Sequence, residues 1–250
     1  NEFALPGTSV QLKGKYFDLY GFGGETTTST ITMNGVELVV DSITDKYLSV
    51  IIPEGAQDNS VIEINYVGAG GSSYVEKIPY RMTNAIIWDL ANPDSHGLWA
   101  GRDLICSEPG ETDPELLFGP YFRVKGSYGA WSWNNLPCGG FNCPADVAAN
   151  PADYNFKFEV YSPAGFPFYD SASFGYLIEL NGGHYAWNPS ANGSFNTYGK
   201  WCTVTLDLQS ICSNAFTEGW TGLSFILQPN SDWNVDHSFA NIRLEKKIKP

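Results

Sequence analysis

The sequence predicts an all-β protein made of two successive β-sandwiches, the second a jelly roll. Three observations predict it. Short runs of alternating apolar and polar residues recur along the chain, most cleanly in Tyr154-Asn155-Phe156-Lys157-Phe158-Glu159-Val160-Tyr161. Two turn signals, Asn34-Gly35 and Asn181-Gly182-Gly183, stand between such runs, as hairpins require. The 250 residues include 26 Gly and are 15% aromatic but only 16% charged, a balance that suits many turns and strand-borne aromatics.

The first domain is expected over residues 1–81. Val10–Gly14 alternates, and Ile31-Thr32-Met33 runs through the Asn34-Gly35 turn into Val36–Val40. Leu48–Pro53 and Val61–Val67 supply further strands, with no helical periodicity between them. No cluster of titratable residues points to chemistry in this part. Pro79 to Asn84 reads as a short linker, because Pro79 has no N–H to donate to a ladder.

The second domain is expected over residues 82–250. Ala85–Leu90 reads as its first strand. Tyr121–Gly126 follows, with Phe122 and Val124 on one face and Tyr121 and Arg123 on the other. In Tyr154–Tyr161 the period of two buries Tyr154, Phe156, Phe158 and Val160. Phe174–Leu180 and His184–Trp187 make a hairpin. Trp201–Leu208, Thr221–Gln228 and Ser238–Glu245 complete the strands, and a short helix is expected at Pro144–Ala149 or near Leu208–Ser213.

The formal net charge of −13 argues against nucleic acid, acidic polysaccharide and anionic membrane surfaces, all of which recruit clustered Lys and Arg. A neutral ligand suits the chain better. No apolar run approaches the roughly 20 residues of a membrane span. The start, Asn1-Glu2-Phe3-Ala4-Leu5-Pro6-Gly7, reads as internal to a processed or truncated chain. Cys138 and Cys143 bracket Gly139-Gly140-Phe141-Asn142, read as a Gly-rich loop, and either form a small disulfide or stay reduced. Cys202 shares an apolar face with Val204 and Leu206, as a core thiol or a partner of Cys212. Zinc is not expected, since His96, His184 and His237 stand near no cysteine in sequence.

The candidate site residues come from three aromatic–Asn clusters: Trp131-Ser132-Trp133-Asn134, Tyr185-Ala186-Trp187-Asn188 and Asp232-Trp233-Asn234. In an extended strand residues two apart share a face about 7 Å apart. Flat rings at that spacing match successive sugar rings, and neighbouring amides bond hydroxyls. Trp131, Trp133, Asn134, Tyr185, Trp187, Asn188, Trp233 and Asn234 are therefore expected to bind glycan, with Glu179 and Gln228 as lesser contributors. The alternative is that these rings are core residues near strand ends. Trp88, Trp99 and Trp220 read as packing, and Trp201 as support for its sheet or part of the platform.

Catalysis finds little support. Glu111-Thr112-Asp113-Pro114-Glu115 nominally resembles the Glu-x-Asp-x-Glu strand of jelly-roll β-glucanases, but Pro109, Gly110 and Pro114 make it a solvated loop. Glu159 and Glu179 lie on strand faces opposite the core, where such residues commonly face water. No Gly-x-Ser-x-Gly is present. Gly21-Phe22-Gly23-Gly24 lacks the Lys-Ser/Thr tail of a phosphate loop.

Residues 7–81 resemble the TIG/IPT family of immunoglobulin-like domains through Gly7–Phe17, Met33-Asn34-Gly35-Val36 and Ile51–Ala56. Residues 85–250 resemble the C-terminal glycan-binding domain of Bacteroidota surface glycan-binding proteins. The likeness is carried by Ile87-Trp88-Asp89, Gly119–Val124, Trp131–Asn134, Tyr154–Val160 and Gly199–Val204. The resemblance implies a small immunoglobulin-like sandwich followed by a jelly-roll β-sandwich. It implies a non-catalytic lipoprotein on the outer membrane that captures a neutral polysaccharide, a β-linked glucan, xyloglucan or mannan. Importer components would be its partners, with a lipid anchor and earlier spacers outside this sequence. Related jelly rolls end in Asp-Asn-Ile/Val-Arg, whose Asp ligates a structural calcium. Here Ala240-Asn241-Ile242-Arg243 lacks that carboxylate, so no metal or cofactor is expected. The rival readings are a jelly-roll glycanase or lyase, and a protein-binding adhesin.

Overall fold

The computed structural model describes residues 6–22, 28–57, 60–68, 70–80, 86–117, 119–169, 174–189, 194–212 and 214–247. The chain divides into two units, Asn1–Asn84 and Ala85–Pro250. The described residues are mainly β-strand, as expected.

In the first unit the strands are β1 (Ser9–Lys13), β2 (Thr30–Met33), β3 (Val36–Glu37), β4 (Val40–Ile43), β5 (Tyr47–Ile51), β6 (Val61–Val67) and β7 (Ser73–Pro79). They form two antiparallel sheets, β1-β5-β4 and β3-β2-β6-β7. Val10, Leu48 and Val50 of one sheet meet Ile31, Met33, Ile62 and Ile64 of the other in a common core. Asn34 and Gly35 turn β2 into β3 with φ of 49° and 83°, the left-handed pair of a type I′ hairpin. Pro79 closes β7 opposite Val61, so the strand extends into the stretch read as linker. Residues 81–85, which hold the rest of that linker and the start of the strand expected at Ala85, lie outside the described residues.

The second unit contains β8 (Ile105–Cys106), β9 (Tyr121–Tyr128), β10 (Asn134–Cys143), α1 (Ala145–Ala149), β11 (Tyr154–Tyr161), β12 (Tyr176–Leu180), β13 (Gly183–Trp187), β14 (Cys202–Asp207), α2 (Leu208–Ile211), β15 (Gly219–Leu227) and β16 (Trp233–Lys246). A four-stranded sheet, β10-β15-β12-β13, packs on a five-stranded one, β14-β11-β16-β9-β8. Tyr154, Phe156, Phe158 and Val160 of β11 alternate into the core, where they meet Tyr176, Ile178, Leu223 and Phe225 of the facing sheet. Burying each such ring or branched chain stabilises the fold by about 1.5–3 kcal/mol. His237 lies among these apolar groups. Its Nδ1 pairs with Tyr176 Oη at 2.8 Å and its Nε2 with Phe166 O at 3.0 Å. Burial pulls its pKa down to about 4.

Three expectations are corrected here. The stretch 139–142 is not a loop but the middle of β10. Its glycines are demanded by contact, since a Cβ at Gly139 would lie 2.4 Å from His96 O and one at Gly140 2.5 Å from Thr221 O. Cys138 and Cys143 are free thiols. They stand five apart on one strand, an odd spacing that sends them to opposite faces. Between 86 and 90 the chain makes one isolated bridge, Ile86 to Arg243, rather than a strand. Trp88 nonetheless packs in the core, donating its indole N–H to Gly140 O at 3.1 Å.

Candidate functional site

The turn Asn181–Gly182 fixes the register of the hairpin: Leu180 faces Gly183, Glu179 faces His184 and Ile178 faces Tyr185. Since Tyr176, Ile178 and Leu180 point into the core, Tyr185 and Trp187 must do so too. Trp187 is only 3% exposed and meets Phe158 edge-on at 5.2 Å. Tyr185 is half-buried against the same core. Trp233 is likewise buried, edge-on to Tyr176 at 5.8 Å. These three residues are packing residues, not platform residues. Asn234 is exposed and stands opposite Ser127 on the five-stranded sheet. Asn188 is exposed just beyond β13.

The register that buries Trp187 turns a different set outward. Across the four strands β10, β15, β12 and β13 one outward row reads Cys138, Ser224, Glu179, His184, and the next reads Asn135, Ile226, Leu177, Ala186. Farther along the same face Asn142 stands opposite Trp220. Strands β10 and β13 are separated by two others, roughly 14 Å. Yet the Trp133 ring, just before β10, meets the His184 ring of β13 at 5.5 Å and 61°. The two side chains therefore lie across the sheet rather than standing on it. Ile226 is only 1% exposed although it points outward, while Trp133 is 48% exposed. Trp133 Nε1 donates to Asn135 Oδ1 at 3.0 Å, and Glu179 holds His184 at 2.9 Å.

Trp220 occupies the far end of this face, 55% exposed. It rests on glycine backbone, since a Cβ at Gly140 would come within 2.8 Å of the ring and one at Gly97 within 3.3 Å. From Ile226 to Trp220 the face runs about 20 Å along β15, enough for several sugar rings. Trp99 is also exposed, its backbone N–H bonded to Cys138 O at the edge of β10. Trp99 and Trp220 thus correct the expectation that both would pack.

Trp131 is 69% exposed with φ of 61°, a left-handed conformation rare for a bulky residue. The spacing argument for Trp131 and Trp133 therefore does not apply, because the chain is not extended there. The surroundings impose the strain. Trp131 N–H donates to Pro229 O at 2.7 Å, and Ala130 N–H to Asp232 Oδ1 at 2.9 Å. Asn134 uses its amide group on Ser132 O, Ser132 Oγ and Leu227 O. Asn134 thus positions the aromatic loop through its amide N–H groups. Gln228 is half-buried just past β15.

The chemistry available is recognition. Glu179 is the single carboxylate in the outward rows, and it is paired with His184. Burial pushes the Cys138 thiol up, away from the thiolate. In the 111–115 loop, Gly110 N–H and the Arg123 guanidinium hold the Asp113 carboxyl below its usual range, the opposite of what a general acid needs. Glu159, expected to face water, is fully buried against Arg243 at 2.7 Å.

The family described as "surface glycan-binding protein B xyloglucan binding domain" matches residues 80–246. The chain belongs to this family. Solved structures agree in fold. One, a crystal structure with a xylogluco-oligosaccharide, superposes with a TM-score of 0.63 at 15% identity, over 99% of this chain and 56% of that one. This chain thus spans little more than half of that relative's length. A structure of domains CD of another protein gives 0.62 at 13% identity, over 99% of this chain and 96% of its own. The surface glycan-binding protein PbSGBP-B from Prevotella bryantii gives 0.56 at 15% identity, over 98% and 74%. Among curated proteins no sequence matches.

Proposed function

We propose that the protein captures a neutral β-linked glycan at the cell surface, without cleaving it, on the outward face of β10-β15-β12-β13. The observation that carries this reading is the pair of exposed indoles, Trp133 and Trp220, at the two ends of a face whose described residues mix small, apolar and polar groups and carry charge only in the Glu179–His184 pair. Trp131 and Trp99 extend the aromatic surface. Ring faces supply the dominant contact, while Asn135, Asn142, Glu179 and His184 bond hydroxyls, each for a net ~0.5–1.5 kcal/mol. Cleavage would need two carboxyl groups flanking the bond, and the outward rows hold one. Family membership supports β-glucan, with xyloglucan as the first candidate. The first unit, a two-sheet sandwich of the kind the TIG/IPT resemblance implies, serves as a spacer. An outer-membrane anchor and an importer partner complete the proposal.

The test is affinity electrophoresis in gels containing xyloglucan, mixed-linkage β-glucan or mannan, with reducing sugar measured in parallel. Retardation with no released ends is expected. Release of ends would replace capture with hydrolysis, and passage through every gel unretarded would reject the glycan.

A further inference from the structure

The first unit has an aromatic cleft of its own. Along β6 the inward side chains are Ile62, Ile64 and Tyr66. The two isoleucines are buried, whereas Tyr66 is only half-buried. On β7 the partners of Tyr66 and Ile64 are Tyr74 and Glu76. The inward face of the β6–β7 hairpin therefore runs past the end of the core. At that point it changes from aliphatic to phenolic. Tyr66 meets Tyr20 edge-on at 5.3 Å and Tyr74 at 6.1 Å. Tyr74 is 63% exposed and donates its hydroxyl to Glu76 Oε2 at 2.8 Å. Lys15, Tyr16, Tyr20, Tyr66, Tyr74 and Glu76 line a space of about 410 Å³, within the usual size range of small-ligand pockets.

Two features separate this cleft from a loose edge of the core. Tyr16 is held at φ 65° with its N–H on Asp45 Oδ1 at 3.1 Å, and its ring stays exposed. Such a conformation costs about 1–3 kcal/mol in a non-glycine residue and yields no burial in return. Among the described residues the lining holds no Val, Leu, Ile or Met, so it does not suit a lipid or an apolar peptide. One cation faces one carboxylate there, and the whole chain carries −13, so it does not suit an anion. Phenol faces with hydroxyl, carboxylate and ammonium at their rim fit a neutral pyranose.

We infer that this cleft is a second sugar-binding site, holding one or two rings of the same neutral glycan that the second unit captures. Its ligand class rests on the function proposed above, but its residues do not. Two sites on one chain raise retention on a long polymer by avidity and leave short oligosaccharides unaffected at the first site.

The experiment uses the full chain in xyloglucan and mixed-linkage β-glucan gels, with cellohexaose and a xylogluco-oligosaccharide as short probes in calorimetry. Four proteins are compared: the parent, Tyr16→Ala/Tyr74→Ala, Trp133→Ala/Trp220→Ala, and all four changes together. The tyrosine pair should weaken retention by polymer three- to tenfold and leave the dominant oligosaccharide affinity within twofold. It should also remove whatever retention survives the tryptophan pair. Tyr74→Phe, which keeps the ring, should retain most of the polymer binding, and circular dichroism should show all variants folded. Unchanged retention for the tyrosine pair in both backgrounds overturns the second site and leaves the proposed face standing. Retention lost through the tyrosines but not the tryptophans keeps the cleft and rejects that face. If the double alanine protein is unfolded, Tyr74→Ala alone, at a ring 63% exposed, decides, and full polymer retention there overturns the inference.

Discussion

The two outward faces of the second unit are built from the same alternation and end in opposite states. On the five-stranded sheet the outward groups include several charges that pair with one another. Arg123 grips Asp236 through two bonds of 2.7 and 2.9 Å and also holds Asp113, while Lys157 meets Glu245 at 2.8 Å. Arg243 and Glu159 are completely buried, and Thr203 donates to the second Glu159 oxygen at 2.9 Å. Tyr121 and Tyr161 pack on Trp201, whose indole N–H is tied to Glu115 O in the 107–120 loop. On the four-stranded sheet the outward groups are indoles, amides, small and apolar residues and one His–Glu pair, and the Trp133 and Trp220 rings remain open. A surface whose polar groups already have partners gains little from a ligand, whereas an open, weakly paired one gains contact and hydrogen bonds together.

That contrast can be broken or sharpened in order of expected size. Replacing Arg243 by Ala strands the buried Glu159 charge, so stability should fall by about 3–5 kcal/mol while the remaining folded protein keeps its glycan affinity. Urea unfolding reads the loss, and a variant as stable as the parent would remove the closed face from the account. Acid probes the core between the two faces. His237 has a folded pKa of about 4, below its ordinary 6.5. Between those values the unfolded chain binds a proton that the native one refuses. Stability is therefore full above pH 6.5 and declines as pH falls toward 4, by about 3 kcal/mol. The slope of unfolding free energy against pH should flatten in His237→Gln, and an identical slope would sink the assignment.

On the open face, Trp133→Ala should weaken glycan binding by about 2 kcal/mol, some thirtyfold, with little change in melting temperature. Trp187→Phe should do the reverse, because its ring is core; calorimetry on both variants distinguishes them. Glu179→Gln should cost binding no more than about 1 kcal/mol, as one exchanged hydrogen bond does. The smallest effect expected is that of salt. Capture of a neutral chain by rings and amides should keep its dissociation constant within twofold between 0.1 and 1 M NaCl, and a steep decline would point to a charged ligand.

Much of this was legible in advance. The alternation in 154–161 gives the core-facing set Tyr154, Phe156, Phe158 and Val160, though not the burial of Glu159, and both Asn-Gly turns stand where the pattern puts them. The burial of Trp187 was legible too. A two-residue turn after Leu180 sets Ile178 against Tyr185, so the parity that buries Ile178 commits Tyr185 and Trp187 inward and His184 outward. The inward parity of Leu223 and Phe225 likewise sends Trp220 out. The aromatic–Asn repeat points to rings of the hairpin that pack on the core, because aromatic identity alone carries no register. Trp131 and Trp133 of the same repeat are exposed, although the extended geometry the spacing implies is not the one present. The positioning role of Asn134 is not legible in the motif, because its partner Leu227 O is 93 residues away and is brought to it by folding.

The sequence by itself determined the class of fold, the side of each strand that faces inward, and the hairpin registers, because these depend on neighbours two to five residues apart. Only the tertiary structure decided which outward faces stay bare. Tyr121 has outward parity but is buried by Trp201 eighty residues later, and Trp133 finds His184 across three strand spacings. Whether an outward ring meets water depends on what distant chain covers it, and that is settled by packing between segments whose proximity no local pattern encodes.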